Sequence, residues 1–186
     1  MLTGAEEVRV SENTALIRPL EQPGDLGWVL QAHGELYARE HGWSVEAVTA
    51  RILADYAETN RPGQDAAWIA EVEGRRTGSV FCVQVDADTA QLRLLLVDPV
   101  ARGHQLGRRL VAQCVDFARD AGYRQIRLWT NEPLAAARRL YLEAGFRLVG
   151  ESTHSDFGLE LLGQDYRLAL ETEAPAASSA RAPAAP

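Results

Sequence analysis

LRLLLVDPVARGHQLGRRLV, residues 92–111, decides how the rest of the chain is read. An unbroken apolar run that suits a buried strand passes through Asp-Pro into an Arg-Gly loop, and the loop leads directly into an amphipathic pattern of helical period. A helix start leaves backbone N–H groups unpaired and facing outward, and the aligned peptide dipoles place partial positive charge there. Strand, glycine turn and helix in that order therefore make a site for an anionic group. Gly103 and Gly107 let the backbone come close to such a group. Arg102, His104, Arg108 and Arg109 gather at this turn although the formal net charge is −7. A solvated helix face accounts for the arginines taken alone; joined to the glycine turn, they favour phosphate.

Two other phosphate-binding signatures are disfavoured by spacing. A dinucleotide site needs G-x-G-x-x-G and an acidic residue about 20 residues on. Here the turn reads Gly103-His104-Gln105-Leu106-Gly107, and the next strand-like run, residues 125–130, holds no acid. G-x-x-x-x-G-K-[ST] is absent, which argues against a nucleoside triphosphatase.

Working outward, residues 15–20 read as a strand, and Leu26, Val29, Leu30, His33, Leu36 and Tyr37 recur at helical spacing. Val45, Val48, Ile52, Leu53 and Tyr56 continue that rhythm behind Ser44, a residue suited to capping a second helix. Residues 68–71 and 78–85 read as strands joined at Glu73-Gly74, and Asp86-Ala87-Asp88 marks a turn before the strand at 92–97. Past the loop, Leu106, Leu110, Val111, Cys114, Phe117 and Ala121 form an apolar stripe that stops near Gly122. A strand at 125–130 follows, then a helix from Pro133 to about Gly145, with closing strands at 146–150 and 166–170.

The 186 residues, 46% hydrophobic, suffice for one core of an α/β or α+β domain. Residues 1–13 are expected to be an N-terminal extension, 14–170 the folded domain, and 171–186, an Ala/Pro stretch without periodicity, a disordered tail. No run is long and apolar enough for a membrane span, and MLTGAEEVRV lacks the apolar stretch of a signal peptide, so a cytoplasmic protein without a membrane partner is expected. Cys82 and Cys114 suit reduced core thiols. His33, His41, His104 and His154 show no metal-ligand spacing, so no metal is expected. The acidic balance argues against a nucleic-acid partner, since a phosphate backbone needs a broad basic footprint.

RGHQLG resembles the Q/R-x-x-G-x-G/A signature of the GNAT superfamily of N-acetyltransferases. VDP before it resembles the end of that family's fourth strand, and AARRLYLEAGF, residues 136–146, its late helix and following strand. The likeness runs over roughly residues 14–170 and looks closest to acetyltransferase domains fused behind winged-helix regulators. It implies a mixed, mostly antiparallel sheet of six to seven strands, splayed at the fourth strand and flanked by about four helices. Acetyl-CoA is the implied co-substrate, held by Leu95, Leu96 and Val97 along the splayed edge and by Arg102, Gly103, His104, Gln105, Leu106, Gly107 and Arg108 at its pyrophosphate. Two departures stand out. Gln105 replaces a usual glycine, which still leaves an N–H for phosphate if the residue is in right-handed helical geometry. Leu134 stands where the family often has Asn, with Asn131 as a stand-in.

The resemblance further implies direct transfer of acetyl to an amine of a small molecule or protein, by a monomer or homodimer. Tyr141 takes the position of the family's general acid, and Ala137, Tyr141 and Ala144 share one helical face. A backbone N–H near Leu96 or Val97 is placed for the thioester oxygen. Residues 92–97 carry no carboxylate to serve as base, Arg93 being the one polar residue there. The acceptor-side candidates are His33, Glu35, Tyr37 and His154, with Glu40, His41 and Asp156 beside them, and Tyr37 and Trp43 as cleft walls. The alternative reading is a GNAT-fold module that senses acyl-CoA without turnover.

Overall fold

The computed structural model describes residues 15–101 and 104–170. The expected extension, the expected tail, and Arg102 and Gly103 of the phosphate turn lie outside the described residues. Twelve elements follow in order: β1 (Ala15–Pro19), α1 (Asp25–His41), α2 (Glu46–Thr59), β2 (Ala66–Val72), β3 (Arg75–Gln84), β4 (Thr89–Val97), a 3-10 turn (Pro99–Ala101), α3 (Leu106–Asp120), β5 (Gln125–Asn131), α4 (Ala135–Glu143), β6 (Arg147–His154) and β7 (Leu161–Ala169).

One seven-stranded sheet runs β1-β2-β3-β4-β5-β7-β6, antiparallel at every junction except β4–β5. Glu73 and Gly74, both at positive φ, make the tight β2–β3 turn, the geometry a two-residue hairpin needs. Two cores sandwich the sheet. On one face the α3 stripe, with Leu106, Leu110, Val111, Cys114 and Ala118 all buried, packs against Val80, Cys82, Leu92 and Ile126. On the other, Val29 of α1 and Leu53 of α2 cover Ile69 and Phe81. Cys82 and Cys114 are buried free thiols, and burial pushes the Cys114 thiol up. Among the described residues no helix is long and apolar enough to cross a membrane.

The expected sheet and helix count is found, with two differences in the elements. Ser44 does not cap α2; the N-cap is Val45, without a side-chain bond, and buried Trp43 and Val45 seat the chain there instead. The closing strands are longer than expected, a hairpin in which Gly163 and Gln164 are strand residues rather than loop. Gln164 is buried, but its amide donates to Glu151 at 2.6 Å and its oxygen accepts from the Tyr166 hydroxyl at 3.1 Å, so a polar residue sits inside the sheet without penalty.

β4 is where the sheet opens. It pairs with β5 through three residue pairs only, ending at Gln91↔Arg127, so the rest of both strands diverges. Between Phe81↔Arg93 and Ser79↔Leu96, β4 carries one residue more than β3, and Leu94 takes φ 50 to absorb it. The Ser79 hydroxyl donates to the Leu94 carbonyl at 2.9 Å and holds the bulge. Such a bulge bends the strand and increases its twist, which turns the end of β4 away from its parallel partner.

Candidate functional site

The fork between β4 and β5 opens into two cavities that share a wall. The first, about 340 Å³, is lined by β4 residues Gln91 to Leu95, by Trp129, Thr130 and Asn131 of β5, by His33 and Tyr37 of α1, and by Ala137 and Tyr141 of α4. Trp43 and Phe157 add rings from two loops. The second, about 320 Å³, runs along Leu95, Leu96 and Val97 and is closed by residues 133–137 and Leu140 and by Tyr37, Glu40 and His41. Tyr37, Leu95, Leu134 and Ala137 line both, so the two spaces meet at these four side chains.

Aromatic rings pave the first cavity. Tyr37 stacks on Trp43 at 5.7 Å, Trp43 on Phe157 at 6.0 Å, and Trp129 meets Phe157 edge-on at 6.2 Å. Polar groups are few. His33 is 4% exposed and its Nδ1 lies 2.8 Å from the Val29 carbonyl; since a carbonyl only accepts, Nδ1 carries the proton. Nε2 is then a bare lone pair, and it has no hydrogen-bond partner. Burial lowers the His33 pKa to about 4, against a smaller upward pull from the bond to Val29, so the ring is neutral near pH 7. Tyr37, stacked on His33 at 5.9 Å, is pushed up to about 12 by burial first and Glu40 second.

Tyr141 is 5% exposed, packs edge-on against Phe146 at 5.9 Å, and has no hydrogen-bond partner among the described residues. Burial, then the neighbouring Tyr37 and Cys114, push its phenol well above the ordinary value of 10, so it stays protonated. Asn131, 3% exposed, lines the first cavity rather than the second. His154 does not line the cavity. Its Nε2 donates to Asn131 Oδ1 at 2.7 Å, its Nδ1 accepts from the Asp156 N–H at 3.3 Å, and its ring meets Trp129 at 4.9 Å and Phe157 at 5.4 Å. It thereby fixes three residues that do. Glu35 is on the outer face of α1, bonded by Gln31 at 2.8 Å, away from both cavities.

At the start of α3 the expectation for Gln105 is corrected. It has φ 53 and ψ 24, left-handed rather than right-handed, because as the N-cap it stands outside the helix and turns the chain into it; its side chain is exposed. The first intrahelical bond there runs from the Arg109 N–H to the Gln105 carbonyl, which leaves the N–H groups of Leu106, Gly107 and Arg108 ahead of the ladder. A Cβ at Gly107 would lie 2.6 Å from Leu140 Cδ1, the flexible end of an α4 side chain that would have to turn aside. The arginine side chains turn to other partners, Arg108 to Glu143 at 2.8 Å and Arg109 to the Ala15 carbonyl at 3.1 Å. Among the described residues no group of three His, Cys, Asp or Glu side chains could hold a metal ion.

Sequence reasoning brought Tyr37, Trp43, His33 and Tyr141 to this place but missed Thr130, Leu94 and Phe157. Phe157 stood one residue past the noted Asp156, and an aromatic residue in a polar HSDFG loop was its signal.

Residues 30–146 match the sequence model of the acetyltransferase (GNAT) family. Mycothiol acetyltransferase of Beutenbergia cavernae is 30% identical over 164 residues, which cover 80% of this chain and 52% of that protein. N-acetyltransferase 8B of Homo sapiens is 37% identical over 90 residues, 46% of this chain and 40% of that protein. The chain thus spans about half the length, or less, of these relatives. A putative acetyltransferase of Salmonella typhimurium, solved with its cofactor acetyl-CoA, superposes with a TM-score of 0.68 at 22% identity, covering 87% of this chain and 96% of that one. These matches show the acetyltransferase family and do not bear on a likeness to domains fused behind winged-helix regulators.

Proposed function

The chain belongs to the GNAT acetyltransferase family, and from this we propose that it transfers the acetyl group of acetyl-CoA to an amine held in the ring-lined cavity. The observation that carries the proposal is the meeting of two cavities at Tyr37, Leu95, Leu134 and Ala137, with the Tyr141 phenol in the wall of the acceptor side. The unpaired edge of β4 at Leu95, Leu96 and Val97 offers amides and carbonyls to the pantetheine arm, as strand groups without a partner must find one. The amides opening α3, at Leu106, Gly107 and Arg108, suit the pyrophosphate. Arg102, Gly103, His104 and Gln105 belong to the same proposed cradle.

Bound acetyl-CoA supplies an activated thioester. An amine attacks only as the free base, and for a lysine-like amine of pKa about 10.4 that form costs roughly 4 to 5 kcal/mol at pH 7. His33 is too weak a base to take the proton, and its Nε2 is buried away from the cavity space, so the ring serves the acceptor side as a neutral wall and the amine proton leaves to solvent. A β4 amide near Leu96 or Val97 stabilises the oxygen on which charge develops. Tyr141, kept protonated by burial, donates a hydrogen bond to the departing sulfur. A phenol above pKa 10 facing a thiol near 8.5 makes full proton transfer uphill, so donation without transfer is its role.

An acetyl-CoA thiol-release assay over a panel of amines tests this. Tyr141→Phe is expected to lower turnover by about 100-fold while acetyl-CoA binding, measured by calorimetry, is unchanged. Near-normal turnover in that variant returns Tyr141 to a packing role. Tight acetyl-CoA binding with no release for any amine favours the sensing module instead.

A further inference from the structure

Among the described residues the acceptor cavity holds no aspartate or glutamate in its wall, and the one charged side chain lining it is Arg93 of β4. Arg93 is half-buried on the face that α2 covers, beside Ile52, and it also lines a smaller cleft of about 220 Å³ shared with Asp55, Asp65 and Arg127. It makes no ion pair among the described residues. Asp55 acts on it only from beyond ion-pair distance, and Asp65 is committed to Arg61 and to the N–H groups of Arg61 and Gln84. What Arg93 does have is a neutral partner, the Gln91 side-chain oxygen at 3.2 Å, and that same oxygen accepts from Arg127 at 3.3 Å. Two guanidiniums thus converge on one uncharged acceptor at Gln91↔Arg127, the last pair before the strands part. Burial and the neighbouring Arg127 both work against the charge on Arg93, yet a guanidinium does not give up its proton. A half-buried cation without an ion-pair contact among the described residues, in the wall of a substrate cavity, is a binding determinant awaiting an anion.

We propose that the acceptor is a free amino acid with an apolar or aromatic side chain, whose carboxylate is held by Arg93 while its side chain lies among Tyr37, Trp43, Trp129 and Phe157. The proposal rests on the acetyl-transfer reading and names its substrate class. Guanidinium and carboxylate match as a planar pair. The same positive charge disfavours the ammonium form of an amine held beside it, which helps a cavity that lacks a strong base. A polyamine would bring two or more cations to a cavity whose charged wall side chain, among the described residues, is itself an arginine. A peptide N-terminus would bring a neutral amide where the carboxylate is needed. The cavity volume, about 340 Å³, lies at the small end of ligand pockets, roughly 300–1,000 Å³.

The test uses the full chain, saturating CoA, and two probes that differ in one group, N-acetyl-L-phenylalanine and its primary amide, with binding read from the fluorescence of Trp43 and Trp129. The acid is expected to bind at least about tenfold more tightly than the amide, the preference falling to near unity in Arg93→Met and to an intermediate value in Arg93→Lys, with the affinity for CoA unchanged in both. Equal binding of acid and amide, survival of the preference in Arg93→Met, or no binding of either probe overturns the proposal. A parallel thiol-release comparison of L-phenylalanine with phenethylamine separates the two readings. Turnover of the amine as fast as of the amino acid rejects the carboxylate while acetyl transfer stands, whereas a chain that binds the acid through Arg93 but never binds CoA rejects acetyl transfer alone.

Discussion

His33 makes folding stability depend on pH in a window where few other groups titrate. In the native chain its Nδ1–H is spent on Val29 and its Nε2 is sealed from solvent, so protonation would place an unpaired charge in an apolar wall; burial holds the pKa at about 4. In the unfolded chain the same imidazole titrates near 6.5. Between those values the unfolded state binds the extra proton and the native state does not, so stability rises with pH across the interval. The contribution is fully present above about pH 6.5 and is lost as pH falls toward 4. Each pH unit is worth about 1.4 kcal/mol, which gives a loss of about 3 kcal/mol over the whole window. Urea unfolding of the wild type and of His33→Gln, at pH steps from about 7.5 down to about 4, isolates the effect, because the carboxylates common to both chains cancel in the difference. The stability gap between the two is expected to shift by about 3 kcal/mol in favour of the variant as pH falls. A gap that stays constant with pH, or a His33 ring resonance titrating near 6.5, refutes the buried neutral imidazole.

Asp25, 1% exposed, accepts from Arg18 at 2.8 Å, from the Gln22 N–H at 3.0 Å and from Arg76 at 2.8 Å. Burial alone would raise its carboxyl, but these donors and charges outweigh it and the pKa is lowered. Asp25→Asn should cost about 3–5 kcal/mol, seen as a large fall in melting temperature, and the wild type should lose this contribution only as pH drops below the ordinary carboxylate range near 3.9. A melting temperature within a degree or so of wild type would show that the cluster is solvated. Gln105→Gly removes the strain of a left-handed non-glycine residue and should raise stability by about 0.5–1 kcal/mol; a decrease would mean that the Gln105 side chain has a native contact. Gly163 lies under the Trp129 indole, where a Cβ would come within 2.7 Å of Nε1. Gly163→Val should displace that ring, raising the acceptor KM several-fold without changing acetyl-CoA affinity; unchanged acceptor kinetics would remove Trp129 from the binding wall.

Which parts of this chain could be read from its letters follows from the range of the interactions that set them. The α3 stripe and the Glu73-Gly74 turn are local: a helical period and a positive-φ pair announce themselves within a few residues. The ring-lined cavity is not local, since Tyr37, Trp43, Trp129 and Phe157 come from one helix, two loops and a strand, and no period links them. Gly163 and Gln164 carry loop chemistry by composition. They are strand residues because Glu151, across the β6–β7 hairpin, and Tyr166, two residues on along β7, satisfy the Gln164 amide. Arg93 was visible as the one polar residue in an apolar strand, but its lack of a counter-ion appears only when α2 is laid over it.

The bulge at Leu94 is the clearest case of a functional feature hidden from sequence, and its cause is physical. LRLLLV contains no glycine, and nothing in it favours φ 50 at one leucine over its neighbours. The conformation costs on the order of 1–3 kcal/mol and persists because the Ser79 hydroxyl, on the adjacent strand, captures the displaced carbonyl, and because Leu92 and Leu96 on either side are buried and cannot shift register. Among the described residues three non-glycine positions have positive φ: Glu73 in a hairpin turn, Leu94, and Gln105 at the entry to α3. The last two bracket the segment that carries Leu95, Leu96 and Val97 into the amide-rich helix start. One bends β4 beyond its pairing with β5, and the other turns the chain into α3. The β4–β5 ladder has already ended at Gln91, so the strained Leu94 lies at the root of the fork that both cavities occupy, where a bent strand presents its open edge.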